Sequence, residues 1–80
     1  MDKYEFSKCC HTVSEEAYGL NQQGWKIDLR ETENQIRVDF LDFPTEHPFL
    51  ITTACVDADE SFKRLFRKIA SLKFSLGGAA

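Results

Sequence analysis

The chain lacks any long hydrophobic run. A membrane-spanning helix needs about 20 predominantly apolar residues in succession, and the 80-residue sequence has no such segment. Residues 1–10 also lack the apolar centre of a signal peptide and instead carry four charged side chains, Asp2, Lys3, Glu5 and Lys8. We therefore expect a cytoplasmic protein that does not bind membranes.

Cysteine and excess charge are also scarce. With only three cysteines, at least one stays unpaired, so we expect no disulfide framework and a reducing compartment. Lys and Arg total 10 against 13 Asp and Glu, for a net charge of -3, which argues against attraction of the whole protein to nucleic acid or anionic lipid. The shares of hydrophobic residues, 42%, and charged residues, 29%, are typical of a folded domain.

The length limits the domain organisation. A chain of 80 residues is enough for one domain. We assign that domain to residues 1–76 and expect residues 77–80, Gly-Gly-Ala-Ala, to form a flexible C-terminal tail. A core of this size leaves little room for a deep substrate pocket.

An amphipathic helical pattern covers residues 2–23. Asp2 suits the N-cap of this helix, and Gly24 suits the position just after it. An alternative is a short strand at 4–8 followed by a helix that begins at Thr12, but the single long helix is favoured. The apolar residues recur at spacings of three or four and share one stripe: Phe6, Cys10, Val13, Ala17 and Leu20.

Two segments, 25–30 and 35–40, alternate between apolar and polar residues and flank a polar turn at 31–34. We predict an antiparallel hairpin in which Leu29 faces Ile36. A slip by one residue would place apolar residues opposite charged ones. On the far side this register pairs opposite charges: Asp28 with Arg37, and Lys26 with Asp39.

Two further elements follow the hairpin. Pro44 and Pro48 mark a connection, because proline has no N–H for a paired strand. The composition of 49–56 predicts a third strand. Asp57 predicts the cap of a second helix that runs to about Phe74. Its apolar stripe is Phe62, Leu65, Phe66, Ile69 and Leu72.

The order of elements predicts an α+β fold, a two-layer sandwich with the order helix, three-stranded antiparallel sheet, helix (αβββα). Both helices are expected on the sheet face that carries the alternating apolar residues. The other sheet face would then remain open and carry the charged residues of the hairpin.

The cysteines and histidines give weak support for a metal site or a catalytic nucleophile. Cys9, Cys10 and His11 are adjacent, with His47 and Cys55 as further candidates, but neighbours on a helix point about 100° apart and zinc ligands usually occur in spaced pairs. A Cys–His nucleophile needs an oriented base, and no glycine-rich phosphate loop is present. We expect no enzyme activity, no cofactor and no bound metal.

The second helix carries a basic run, Lys63, Arg64, Arg67 and Lys68, and the order helix, three strands, helix resembles the double-stranded-RNA-binding domain over most of the chain. That resemblance implies an alternative function, a nucleic-acid binder that uses the basic second helix. Members of that family place lysines at the start of this helix, whereas residues 57–61 here read Asp-Ala-Asp-Glu-Ser.

A second similarity is shorter. Residues 38–44, Val-Asp-Phe-Leu-Asp-Phe-Pro, are similar to the strand that ends in a Phe-Pro turn in small antitoxin domains of the HicB type. The long leading helix departs from that pattern.

The apolar residues around the 43–48 connection suggest a surface for another protein. Phe43 and one of Leu41 or Leu50 have no obvious place in a core served by two helices, so we expect an exposed contact patch. A small core beneath the connection and a homodimer built sheet to sheet are the alternatives. The predicted partner-binding residues are Arg37, Asp39, Leu41, Phe43 and Phe49.

From these features the sequence predicts a small non-catalytic protein-binding module. It would inhibit another protein, from the host or from a defence or toxin system, as phage anti-defence (anti-CRISPR-like), antitoxin and immunity proteins do. A homodimer is possible in this interpretation, whereas nucleic acid is not the expected partner. Such proteins need a few anchoring residues rather than an active site.

Overall fold

The predicted order of elements is confirmed. A computed structural model describes residues 1–74, so the expected tail at 77–80 lies outside the described residues. Helix α1, three antiparallel strands in one sheet and helix α2 follow one another, with β2 in the centre of the sheet. The elements are α1 Lys3–Gln22, β1 Ile27–Glu31, β2 Gln35–Phe40, β3 Phe49–Thr52 and α2 Ala58–Lys73.

Helix α1 is a single helix, as the apolar stripe predicts. The Asp2 side chain accepts a hydrogen bond of 2.8 Å from the Glu5 N–H, which satisfies one of the unpaired donors of the first turn. At the other end Gly24, with φ 105°, donates to the Asn21 carbonyl, and Trp25 donates to the Leu20 carbonyl. This pattern is a Schellman motif, and it turns the chain so that Trp25 enters the core.

The predicted hairpin forms, but its predicted register is wrong by two residues. Leu29 pairs with Val38 rather than with Ile36, and Ile27 pairs with Phe40. The predicted pairs of opposite charge are therefore absent from the register. Instead, Asp28 lies opposite Asp39, and Arg30 lies opposite Arg37.

The shorter turn explains the shift. Strand β1 extends to Glu31, so the connection contains Thr32, Glu33 and Asn34 rather than four residues. The Thr32 N–H donates to the Gln35 carbonyl at 2.8 Å, and the Asn34 N–H donates to Thr32 Oγ1 at 3.3 Å. Because side chains alternate with a period of two, a two-residue shift leaves every apolar residue on its predicted face.

Both helices pack on one face of the sheet. From the sheet they cover Ile36, Val38, Phe40 and Ile51. The apolar stripe of each helix is buried as predicted, except that Phe66 is half-buried. An ion pair of 2.9 Å between Lys73 Nζ and Glu16 Oε2 connects the two helices at the surface.

Two predicted details differ in the second half of the chain. Strand β3 ends at Thr52, before the predicted Val56, because the Cys55 N–H bonds back to the Thr52 carbonyl in a turn. Asp57 precedes α2 but makes no side-chain capping bond, and its φ of -108° and ψ of 28° are not those of an extended cap residue.

Neither helix within residues 1–74 combines the length and apolar character needed to cross a membrane.

Candidate contact surface

The sheet face opposite the helices is open. The register places on it the alternate residues of each strand, whose neighbours face the core. They are Asp28 and Arg30 on β1, Gln35, Arg37 and Asp39 on β2, and Leu50 and Thr52 on β3. Leu41 follows β2 on the same alternation. The result is a flat surface of mixed charge with leucines at its margin.

Three of the predicted contact residues lie on this open face. Arg37 is exposed and lies between Arg30 on one side and Leu50 on the other. Asp39 is half-buried, and the Leu41 side chain is 52% exposed. Leu50, which the sequence analysis named as an alternative to Leu41 but did not include among the partner-binding residues, is 55% exposed. Alternation along β3 places it on the face opposite the buried Ile51.

The other two predicted contact residues, Phe43 and Phe49, lie on the core side. Phe49 pairs with the buried Val38 and packs edge-on against Phe40, with ring centroids 5.9 Å apart. Phe43 is stacked against Trp25, with centroids 5.8 Å apart and an interplanar angle of 21°. Both rings are half-buried and pack against the core, which corresponds to the small core beneath the connection.

Lys68 completes this packing. Its Nζ lies 3.8 Å from the centre of the Phe43 ring and forms an ion pair of 2.8 Å with Glu46 Oε2. The lysine side chain is only 20% exposed, so its cation–π contact is partly shielded from water. Lys68 therefore ties the connection between β2 and β3 to helix α2. Its membership of the basic run gave no sign of this role.

Trp25 carries a buried polar atom. Its residue is 8% exposed, and its indole Nε1 has no hydrogen-bond partner within residues 1–74. A buried N–H without a partner costs free energy. The stacking against Phe43 and the Schellman motif before Trp25 fix the position of this ring despite that cost.

The charges of the open face are arranged in two rows across β1 and β2. Asp28 and Asp39 form an acidic row, and Arg30 and Arg37 form the adjacent basic row. Like charges directly opposite each other on a sheet are destabilising. Along β1, Arg30 Nε lies 3.6 Å from Asp28 Oδ2, and this contact between opposite charges acts against the repulsion.

Cys9 and Cys10 are protected rather than reactive. Cys10 is fully buried, and that burial raises the pKa of its thiol to about 12, with the Glu31 carboxylate contributing in the same direction. Burial also raises the pKa of the half-buried Cys9, followed by the nearby carboxylates of Asp59 and Glu5. A thiol with a raised pKa is a poor nucleophile and a poor metal ligand at neutral pH.

Both histidines are exposed. The exposed His11 contacts Glu15 on its own helix, at 2.9 Å between Nε2 and Oε1, and His47 is exposed in the connection. Cys55 Sγ lies 3.2 Å from Thr52 Oγ1. In the part of the chain that the structure describes, no three Cys, His, Asp or Glu side chains form a group that could hold a metal ion.

Comparison with known proteins gives no family. The chain matches no protein-family model, and no curated protein or solved structure is detectably similar to it. The fold thus defines an αβββα domain with one open, charged sheet face, and the function has to be inferred from that face.

Proposed function

We propose that this domain is a non-catalytic, cytoplasmic protein-binding module that inhibits another protein by occupying part of its surface. The observation that supports the proposal is the open sheet face, on which the exposed Leu41 and Leu50 flank the charged Arg37 and Asp39. Strands β2 and β3 hold Arg37, Asp39 and Leu50, and the bond from the Leu41 N–H to the Lys26 carbonyl holds Leu41 just after β2, so little backbone freedom is lost on binding. Phage anti-defence (anti-CRISPR-like), antitoxin and immunity proteins are the classes that work in this way.

The two leucines are the proposed anchors. Each exposes more than half of its side chain, at 52% for Leu41 and 55% for Leu50. Burial of such side chains in a partner supplies binding free energy, whereas the surrounding charges select the partner and its orientation. Arg37 and Asp39 are the proposed orienting charges. Phe43 and Phe49 support the sheet from the core side and are expected to act on stability.

The test is capture of partners by the full-length protein, followed by an assay of the captured protein. Wild type, a Leu41→Asp/Leu50→Asp double variant and a Val56→Asp control are immobilised in parallel. Val56 is fully exposed but lies in the turn before α2, outside the sheet. We expect a protein retained by wild type and by the control, lost from the double variant, and inhibited when the purified domain is added.

Retention of the same proteins by all three variants would contradict the proposed surface. A captured protein whose activity does not change on addition of the domain would contradict inhibition. Circular dichroism of each variant shows that a loss of binding does not reflect unfolding.

A second candidate is nucleic-acid binding by α2. Its support is the αβββα order together with the exposed basic residues Lys63, Arg64 and Arg67. The acidic first turn and the ion pairs that Lys68 and Lys73 already make with carboxylates reduce the positive charge offered to phosphates. A shift of duplex RNA in a gel at low salt would favour this candidate over the inhibitor.

A further inference from the structure

Strand β1 is an edge strand whose outer backbone groups are only partly occupied. The Leu41 N–H donates to the Lys26 carbonyl, and the Thr32 N–H donates to the Gln35 carbonyl. These two bonds show which opposite residues of the hairpin are hydrogen-bonded pairs. Because these pairs alternate along an antiparallel ladder, Leu29 and Glu31 direct their N–H and C=O groups away from β2. At the start of β1, Asn21 Oδ1 accepts from the Ile27 N–H at 3.3 Å.

The edge also leaves apolar surface in contact with water. Ile27 and Leu29 are on the helix side of the sheet but are only half-buried, whereas Val38 beside Leu29 is 1% exposed. On the other edge strand, β3, the helix-side residues are Ile51, which is 1% exposed, and Phe49, which is half-buried. An added strand at β1 would bury the exposed parts of Ile27 and Leu29.

An exposed tyrosine borders the same edge. Ser14 contacts the Glu31 side chain and Asn21 contacts the Ile27 backbone, so these two residues of α1 mark the two ends of β1. Tyr18 follows Ser14 by four residues and therefore lies on the same stripe of the helix. Its side chain is 68% exposed, so an aromatic ring is available on the stripe of α1 that faces β1.

The two open-face charges of β1 are complementary to those of a second copy. When a second copy of β1 is placed antiparallel with Leu29 opposite Leu29, Asp28 of each copy lies opposite Arg30 of the other. Leu29 is one of the residues with outward N–H and C=O groups, so this register allows the two leucines to exchange a pair of backbone hydrogen bonds. The alternation of faces is preserved, with both charged residues on the open face.

In the same register, each row of like charges in one copy meets a row of opposite charges in the other. The acidic row of Asp28 and Asp39 would continue into the basic row of the second copy, and the basic row of Arg30 and Arg37 would continue into its acidic row. A charge pattern that is unfavourable within one chain becomes complementary across two. No charged residue lies on β3, whose sequence is Phe-Leu-Ile-Thr.

We propose that two copies of this protein associate through their β1 edges, with Leu29 at the two-fold axis, to form a six-stranded sheet. This is an isologous interface, in which each copy contributes the same residues. A single pair of short strands buries less surface than a permanent dimer needs, so the dimer dissociates on dilution. The inference does not rest on the proposed function, because the open face remains free in the pair.

Two opposite charge reversals test the register. Arg30→Asp makes the open-face charges of β1 acidic in both copies, and Asp28→Arg makes them basic, so each variant repels itself. We expect sedimentation velocity over a concentration series to show self-association of wild type and at least about tenfold weaker self-association of each variant. Mixing the two variants restores complementarity, and native mass spectrometry should detect the mixed dimer.

Two controls separate register from net charge. The Asp28→Arg/Arg30→Asp double variant keeps the complementarity and should dimerise like wild type. Lys63→Asp changes the net charge as Arg30→Asp does, but on the exposed side of α2, and should leave the dimer unchanged. Circular dichroism shows whether each variant is folded.

Three outcomes would overturn the proposal. The first is a wild type that stays monomeric at every concentration. The second is single variants that dimerise as well as wild type while Leu50→Asp abolishes the dimer, which would move the contact to β3 or to the open face. The third is a mixture of the two folded single variants that remains monomeric.

Discussion

Phe43 joins three parts of the molecule through one ring. It stacks on Trp25, which follows α1, and it lies beneath the Lys68 ammonium of α2, while its own backbone belongs to the connection after β2. The stacking and the cation–π contact each add to the stabilisation that burial of the ring provides. The ring is therefore a packing element of the domain.

Phe43→Ala is expected to lower the free energy of unfolding by about 1–3 kcal/mol, because the half-buried ring loses both contacts and leaves a gap beside Trp25. Urea denaturation followed by circular dichroism measures the change. Leu41→Ala, two residues earlier and 52% exposed, is the matched control and should stay within about 0.5 kcal/mol of wild type. Equal changes in the two variants would contradict a packing role for Phe43.

Cys10 makes the free energy of unfolding depend on pH in the alkaline range. Its pKa is about 12 in the folded protein against an ordinary value of 9.0, so the folded state holds the thiol proton more tightly than the unfolded state does. The corresponding stabilisation is complete below pH 9 and is lost as the pH rises toward 12. We expect wild type to lose more free energy of unfolding than Cys10→Ala between about pH 8 and about pH 10.5.

The subtraction of one pH profile from the other removes the contributions of the groups that the two proteins share. Parallel profiles for the two proteins would mean that Cys10 titrates alike in the folded and unfolded states.

At the scale of elements, the two helices begin differently. Helix α1 has a side-chain cap from Asp2, whereas Asp57 before α2 makes no such bond. We expect Asp2→Ala to cost about 1 kcal/mol of stability, the typical value of a lost cap. Asp57→Ala should cost only a few tenths of a kcal/mol through its interaction with the helix dipole. Thermal unfolding compares them, and a larger loss for Asp57→Ala would be inconsistent with the observed geometry.

The elements themselves could be predicted from the sequence, because buried side chains repeat with the period of each element. The register could not be predicted in the same way. A shift of two residues changes no face, so the choice depends on turn geometry and on charge pairs. The predicted pairs of Asp28 with Arg37 and of Lys26 with Asp39 were too weak a criterion, since each is worth only about 0.2–1 kcal/mol, and the bonds of the turn at Thr32 and Asn34 prevailed.

The candidate surface was predicted in part for a related reason. Alternation along β2 correctly placed Arg37 and Asp39 on one face. Phe43 follows the end of the strand, where alternation no longer applies, and its partners Trp25 and Lys68 are distant in sequence. Contacts of that kind depend on how the elements pack together, which no local pattern records.

At the scale of the whole molecule, the sheet separates two kinds of surface. The helix side is closed by the apolar stripes of both helices, while the opposite face and the β1 edge retain charged and apolar groups directed toward water. If the edge pairs as proposed, two open faces adjoin and roughly double the area available to a partner. A target with two-fold symmetry would fit such a surface better than a single-site target would.

The position of the only tryptophan has a practical consequence. Trp25 lies where α1 ends, at the entrance to β1 and against the ring of Phe43. Its fluorescence emission therefore reports the environment at that junction without any added label. Opening of the connection would admit solvent to the indole and shift the emission to longer wavelength, so time-resolved emission can follow this movement separately from the unfolding of the helices.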